Sequence, residues 1–250
     1  MPELLDGERI DEVNDKLRLI QKPDGLTFGT DALLLAGYAE LRGARGVELG
    51  SGSGIISMLM LTRGKLSTSL AIEVQKEYAE LTRRNAELNS LSGLTALCTD
   101  VRDFKPDTAY DAVFTNPPYM RCDSGRANEL TKKNLARHEV LGNICDFVSC
   151  AARSLKYGGA FYAVYRPDRL IDIISAMREY KIEPKRMTFV HADTDAESSM
   201  VLIEGRAGGR AGMKLTSPLL IYRDKSHKEY TDDMNYIMEN GSFPKKYTRK

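Results

Sequence analysis

From Ala44 onward, short apolar runs alternate with longer stretches whose apolar residues recur at three- and four-residue spacing. Runs of the first kind suit strands buried in a sheet, and the 3.6-residue period marks amphipathic helices. The pattern predicts strands at Gly46–Leu49, Ser69–Glu73, Thr95–Cys98, Asp111–Thr115, Ala160–Tyr165, Arg186–His191 and Met200–Glu204, each holding β-branched or aromatic residues. Helices are predicted at Ser53–Thr62, Gln75–Asn89, Val140–Leu155 and Asp168–Tyr180; in the last, Leu170, Ile173, Ile174 and Met177 form one apolar stripe. Strands that take turns with helices are joined by crossovers rather than hairpins, which makes their sheet parallel. The expected fold is therefore α/β and Rossmann-like, with a seven-stranded, mostly parallel sheet flanked by helices.

Three segments fall outside this rhythm. Residues 1–40 predict an amphipathic, charged helix, then the turn-rich Lys22-Pro23-Asp24-Gly25, then Phe28-Gly-Thr-Asp-Ala-Leu-Leu-Leu35. They read as an N-terminal helix and lid segment before a main domain at 41–250. Residues 117–139 form a long polar insertion directly after a strand, and long loops in compact domains usually carry function. Residues 205–218 form a second loop, with Gly205, Gly208, Gly209 and Gly212.

A composition of 42% hydrophobic and 28% charged residues is that of a globular chain. The formal net charge of only +1 excludes a uniform field that would draw the whole molecule onto nucleic acid or anionic lipid. Any polyanionic partner must meet a local basic patch. Cys98, Cys122, Cys145 and Cys150 have neither a CxxC pair nor regular spacing, so a disulfide framework or zinc site is not expected. His191 and His227 lack a second ligand at helical or hairpin spacing. The opening MPELLDGERIDE places acids where a signal peptide needs basic and apolar residues, and no apolar run approaches bilayer length. A cytoplasmic protein without a metal or a membrane span is expected.

The densest local signal is Val47-Glu-Leu-Gly-Ser-Gly-Ser-Gly54, a strand running through a glycine-rich turn into a helix. The glycines at 50, 52 and 54 do not follow G-x-G-x-x-G, and no Gly-Lys-Ser/Thr follows to grip phosphates. The spacing, with Glu48 two residues before the first glycine, resembles the S-adenosylmethionine loop of class I methyltransferases. There the amides of Gly50, Ser51, Gly52 and Gly54, with the acid Glu48, would meet the cofactor's carboxylate and ammonium. Glu73 closes the second strand, where a carboxylate can accept from both ribose hydroxyls. Asp100, in Leu97-Cys-Thr-Asp-Val101, would accept from the adenine amino group while Val101 covers the ring. A helix N-cap or surface acid remains the alternative for these positions, with Asp103 as a competitor.

After the fourth strand stands Asn116-Pro-Pro-Tyr119. Two prolines remove two amide donors and stiffen the chain. The Asn116 side-chain oxygen and the Pro117 carbonyl can then accept the two protons of an exocyclic amino group, aiming its lone pair at a sulfonium methyl. Pro118 holds this geometry, and Tyr119 would stack on the planar substrate. Such a transfer depends on in-line positioning and electrostatic support and needs no strong base.

Together with Phe28–Leu35, the closing Leu219-Leu-Ile-Tyr222, Tyr230-Thr231 and a last predicted helix at Thr231–Met238, these motifs resemble the bacterial tRNA (adenine-N6)-methyltransferases that modify adenosine 37 of valine tRNA. The likeness runs from about Ile20 to Met238. It implies a class I methyltransferase fold, S-adenosylmethionine as cofactor and tRNA as partner. It also implies that Thr30 and Asp31 lie against the methionine end of the cofactor, with Asn116 serving both cofactor and substrate. Ser51 stands where many relatives have cysteine or alanine. In Ala136-Arg-His-Glu139, other members carry a different residue at His138, which leaves Arg137 as the loop residue of interest.

Residues 121–137 carry a net charge of +3 through Arg121, Arg126, Lys132, Lys133 and Arg137, and residues 205–250 carry +5. The first group would ring the mouth of the site and supply phosphate contacts. Other readings also fit Asn-Pro-Pro-Tyr: a glutamine-N5 methyltransferase acting on release factors, a DNA adenine-N6 methyltransferase, or a non-catalytic cofactor-binding scaffold. The short chain before Gly46 weighs against the first, the lack of room for a target-recognition domain against the second, and the intact Asn116, Pro117 and Tyr119 against the third. Monomer and homodimer are equally open.

Overall fold

A computed structural model of the chain describes residues 2–21, 29–117 and 142–249. The first two elements are strands, β1 (Arg9–Asn14) and β2 (Leu17–Gln21), paired antiparallel as a separate two-stranded sheet. This corrects the helix expected there. Asn14 Oδ1 accepts from the Lys16 amide (2.9 Å), closing a tight turn. Beyond it, Leu17 and Leu19 are buried while Arg18 is exposed, the two-residue period of a strand.

The main sheet holds β3 (Ala44–Leu49), β4 (Leu66–Glu73), β5 (Leu94–Cys98), β6 (Tyr110–Thr115), β7 (Leu155–Tyr165), β8 (Ile182–His191) and β9 (Ser198–Ala207). Each strand expected after Ala44 lies inside one of these seven. Two short strands, β10 (Lys214–Leu215) and β11 (Leu219–Leu220), pair with β8 and bring the sheet to nine strands among the described residues. The order is β10-β8-β9-β7-β6-β3-β4-β5. Pairings from β5 to β7 are parallel, and β9 is antiparallel to both β7 and β8.

The helices are α1 (Thr30–Tyr38), α2 (Ile55–Thr62), α3 (Lys76–Leu88), α4 (Ile144–Ser154), α5 (Leu170–Glu179) and α6 (Asp232–Asn240). Successive side chains of a strand face opposite ways, and the sheet uses both sides. Phe114, Tyr162 and Leu202 pack with α1, α2 and α6, while Val113, Phe161 and Ile203 pack with α4 and α5. Each such side chain, fully buried, contributes roughly 1.5–3 kcal/mol.

Helix α1 belongs to this core, with Leu34, Leu35 and Tyr38 fully buried. Its C-terminal carbonyls are held by a charge from elsewhere in the chain: Lys65 Nζ donates to Ala36, Gly37 and Ala39 at 2.7–2.8 Å. Arg186 Nη2 adds a bond to the Tyr38 carbonyl at 2.7 Å. Burial, with Arg63 and Arg186 close by, pushes Lys65 down to about 7. The far end of α1 is thereby fixed, and its N-terminus reaches the edge of the sheet where the parallel strands finish.

Candidate active site

The register of three parallel strands sets the site. Ile72 of β4 pairs with Leu49 of β3, and Leu49 with Thr115 of β6. The next residues along, Glu73, Gly50 and Asn116, therefore leave the sheet side by side, one strand spacing of about 4.8 Å apart. Thr115 Oγ1 donates to the Leu49 carbonyl at 2.8 Å, locking the last two strands together below Asn116.

The glycine loop is pinned where it begins. The amides of Gly50 and Ser51 both donate to the Ile72 carbonyl (2.9 and 3.0 Å), and Gly54 N–H donates to the Ser51 carbonyl (2.8 Å). Gly54 caps α2 at φ +79°, and a Cβ there would lie 2.7 Å from Thr82 Cγ2. Gly50 is at φ +69°, with the Phe147 ring 3.1 Å from where a Cβ would sit. Both positions thus need glycine for conformation and for space.

Glu73 is buried and joins the loop to the end of β4. Its Oε2 accepts from Gly52 N–H (3.0 Å) and its Oε1 from Gln75 N–H (2.9 Å). From beneath, Thr82 Oγ1 donates to the Gly52 carbonyl (2.9 Å) and Asn85 Nδ2 to the Ser53 carbonyl (3.2 Å). These two supports were missed in the sequence. Their signal was present, because Thr82 and Asn85 are polar residues on the same stripe of α3 as Ala79 and Ala86.

Glu48, expected beside the cofactor, is turned toward α2 in this structure. It is 1% exposed, and its Oε2 accepts from both the amide and the hydroxyl of Ser57 in α2, at 3.0 and 2.5 Å. Burial raises its pKa to about 8, which favours the protonated form near neutral pH. It acts as a brace between β3 and α2. Ser51, by contrast, has a buried hydroxyl with no hydrogen-bond partner among the described residues, a polar atom at the loop that a ligand can satisfy.

Asp100 follows β5 and is gripped by its neighbour. Its Oδ1 accepts from the Arg102 amide and Nε (2.8 and 2.9 Å), and the Arg102 hydrogen bonds hold its carboxyl below the usual range. Its carbonyl accepts from the amides of Asp103 and Phe104, closing the 100–104 turn. Val101 is buried beside it.

Asp31 and Asn116, 85 residues apart in sequence, meet directly: Asn116 Nδ2 donates to Asp31 Oδ2 at 2.7 Å. Asp31 Oδ1 accepts from the Ala32 amide (2.9 Å) at the start of α1, and a Cβ on Gly29 would come within 2.6 Å of the same oxygen. Thr30, the first residue of α1, is exposed beside it. An amide whose nitrogen faces a carboxylate turns its oxygen the other way. The pair therefore decides which Asn116 atom is presented as acceptor. Pro117 is buried at the end of the described stretch. Pro118, Tyr119, Arg121, Arg126, Lys132, Lys133, Arg137 and His138 lie outside the described residues. Among the described residues no cluster of His, Cys, Asp or Glu is arranged to hold a metal, and no helix is long and apolar enough to cross a membrane.

The family model described as methyltransferase small domain matches residues 23–179. Among curated relatives, the tRNA1(Val) (adenine(37)-N6)-methyltransferase of Parabacteroides distasonis is 28% identical over 213 residues, covering 82% of this chain and 88% of the relative. The protein of the same name from Phocaeicola vulgatus is 26% identical over 184 residues, covering 71% and 76%. Among solved structures, a predicted O-methyltransferase from Agrobacterium tumefaciens has a TM-score of 0.69 at 24% identity, covering 86% of this chain and 98% of that one. TYW2 of M. jannaschii, solved with AdoMet, has a TM-score of 0.55 at 13% identity, covering 82% and 88%. Both structures share the fold.

Proposed function

We propose that this chain, which belongs to the methyltransferase small domain family, is an S-adenosylmethionine-dependent enzyme that methylates the exocyclic N6 of an adenine in tRNA. The observation that carries the reading is the row Glu73–Gly50–Asn116 at the carboxyl edge of the sheet, with the Asn116 amide oriented by Asp31. The names of the curated relatives favour adenosine 37 of valine tRNA as the target.

The residues divide the work by position. The cofactor supplies an electrophilic methyl group on a cationic sulfur. The amides of Gly50, Ser51, Gly52 and Gly54 already donate to the Ile72 carbonyl, Glu73 and the Ser51 carbonyl, so the glycine turn meets the cofactor's amino-acid end by close backbone approach and through the Ser51 hydroxyl, near Thr30 and Asp31. Glu73 stands at the strand end where its carboxylate accepts from ribose hydroxyls, and Asp100 with Val101 serves the adenine. Asn116 Oδ1 and the Pro117 carbonyl accept the two protons of the target amino group. The nitrogen lone pair is left facing the methyl group; the nitrogen–carbon bond would form as the carbon–sulfur bond breaks, leaving a neutral thioether, and one of the two amino protons would pass by way of the Asn116 and Pro117 acceptors to solvent. Pro118 and Tyr119 complete the motif by stiffening the chain and stacking on the base, while Arg121, Arg126, Lys132, Lys133 and Arg137 contact RNA phosphates. Such an enzyme works in the cytoplasm, where its tRNA substrate resides.

The test is methyl transfer from labelled S-adenosylmethionine into total tRNA from a host lacking the corresponding enzyme, followed by nucleoside analysis. N6-methyladenosine in one tRNA, abolished by Asn116→Ala with cofactor affinity intact, is the expected result. Label in release factor or DNA, with tRNA unlabelled, overturns the substrate assignment. Equal loss of cofactor binding and transfer in Asn116→Ala overturns the role of that side chain.

A further inference from the structure

Tyr222 and the Tyr230-Thr231 pair have no part in the site described above, yet they sit on the same edge of the sheet. Strands β7 and β8 are each antiparallel to β9 and so run parallel to one another; the register sets Thr115 level with Ala163, Ile203 and Met187, so β8 runs on four residues past the end of β6 to His191. Leu220 of β11 pairs with His191 at that end. Ile221 N–H then donates to the His191 carbonyl (3.0 Å) and Tyr222 N–H to the Ala192 carbonyl (2.8 Å). A bridge joins Tyr222 to Tyr230, and Thr231 caps α6 by accepting from the Met234 amide at 3.2 Å.

Three rings meet on this frame. Tyr222 stacks with His227 at a centroid distance of 4.5 Å and an interplanar angle of 17°, and with Tyr230 at 5.2 Å and 20°. Tyr222 is half-buried, whereas Tyr230 is 38% exposed and the His227 side chain 45%. The imidazole is fixed by Asp193, whose Oδ2 lies 2.9 Å from His227 Nε2 and whose Oδ1 accepts from the amides of Asp195 and Ala196. Tyrosines used only for packing are covered; here two of three rings stay open to solvent while the middle one is anchored.

The surrounding charges narrow what such a surface takes. Arg223, Lys225 and Lys228 are matched by Asp224, Glu229 and Asp232, and Asp193, Asp195 and Glu197 stand on the neighbouring turn. Arg223 pairs with Asp232, and Lys225 with Asp195. Three basic side chains against six acids leave a net charge of −3, so the surface repels phosphate and suits only an uncharged planar group. Between it and Asn116, the end of β7 carries Arg166 and Arg169. From β6 through β7, β9 and β8 to β11 is four strand spacings, about 19 Å, and Tyr222 also lies about five residues, roughly 16 Å, beyond Asn116 along the strands, a separation of roughly 25 Å that several nucleotides of unstacked strand cover.

We propose that Tyr222, His227 and Tyr230 form a stacking platform for an unpaired base of the RNA substrate, at a nucleotide several positions away from the target adenosine. The platform rests on the tRNA reading above. Its test compares wild type, Tyr230→Ala, Tyr230→Phe and His227→Ala in methyl-transfer kinetics and in tRNA binding over a range of salt. Tyr230→Ala should raise KM for tRNA about tenfold, with kcat and cofactor affinity within twofold of wild type. Tyr230→Phe keeps the ring and should stay within twofold throughout. The slope of affinity against salt should not change, because no phosphate contact is lost.

A KM within twofold in both alanine variants overturns the platform, as does a phenylalanine variant as weak as the alanine one. A salt slope lowered by about one also overturns it, by revealing a phosphate contact. Where Tyr230→Ala proves unstable on heating, His227→Ala decides alone. A wild type that transfers no methyl to tRNA overturns the functional reading and the platform with it, an outcome distinct from those above.

Discussion

Replacing Glu48 with glutamine tests whether the acid before the glycine loop is a brace or a ligand. In the folded protein burial lifts its pKa from 4.5 to about 8, while in the unfolded chain it returns to the ordinary value. Between those values the folded state holds a proton that the unfolded state has released, so stability falls as pH rises. The contribution is fully present below pH 4.5 and lost by the time pH passes about 8. A tenfold difference in proton affinity is worth about 1.4 kcal/mol, which sums to roughly 5 kcal/mol across that window. Glutamine has the same shape, keeps an oxygen for Ser57 and does not titrate. Wild type and Glu48→Gln should therefore have similar stabilities at pH 5 and diverge steadily to pH 8.5, with the variant the more stable. Urea midpoints measured every half unit of pH, converted with a common m-value, give the difference curve directly. A flat difference curve would refute the buried, protonated state. A large loss of S-adenosylmethionine affinity in Glu48→Gln at pH 7 would refute the brace and restore the acid to the cofactor.

Two other substitutions address the geometry of the same edge. Asp31→Asn allows the neighbouring amide to donate to Asn116 Oδ1 and turn it away from substrate, so kcat should fall about a hundredfold with KM for tRNA within threefold; an equal loss of cofactor affinity would show that Asp31 serves the cofactor instead. Gly54→Ala forces a side chain into φ +79° and against Thr82. It should cost about 1–3 kcal/mol, read as a drop of several degrees in Tm together with weaker cofactor binding, and an unchanged Tm would contradict that packing.

Much of the fold after Ala44 was legible because the information is local. Seven apolar runs, their helical spacers and a glycine at alternate positions from 50 to 54 each express a periodicity or a conformational need that a few neighbouring residues define. The strand ends that carry Glu73, Gly50 and Asn116 follow from the same pattern, since a parallel sheet gathers its carboxyl ends on one edge. The N-terminal hairpin was not legible. A charged segment with scattered leucines satisfies a helix as well as a strand. What selects the strand lies at α3 and its C-terminal end, where the side-chain oxygens of Asn85 and Asn89 accept from the Ile20 and Arg18 amides, 65 and 71 residues away. Nor could sequence show that Glu48 faces α2 or that Asp31 faces Asn116. Composition places an acid near a loop, but its charge state depends on the water excluded around it and its role on which partner the chain brings within hydrogen-bond reach. Those are properties of packing between distant segments, and only the tertiary structure decides them.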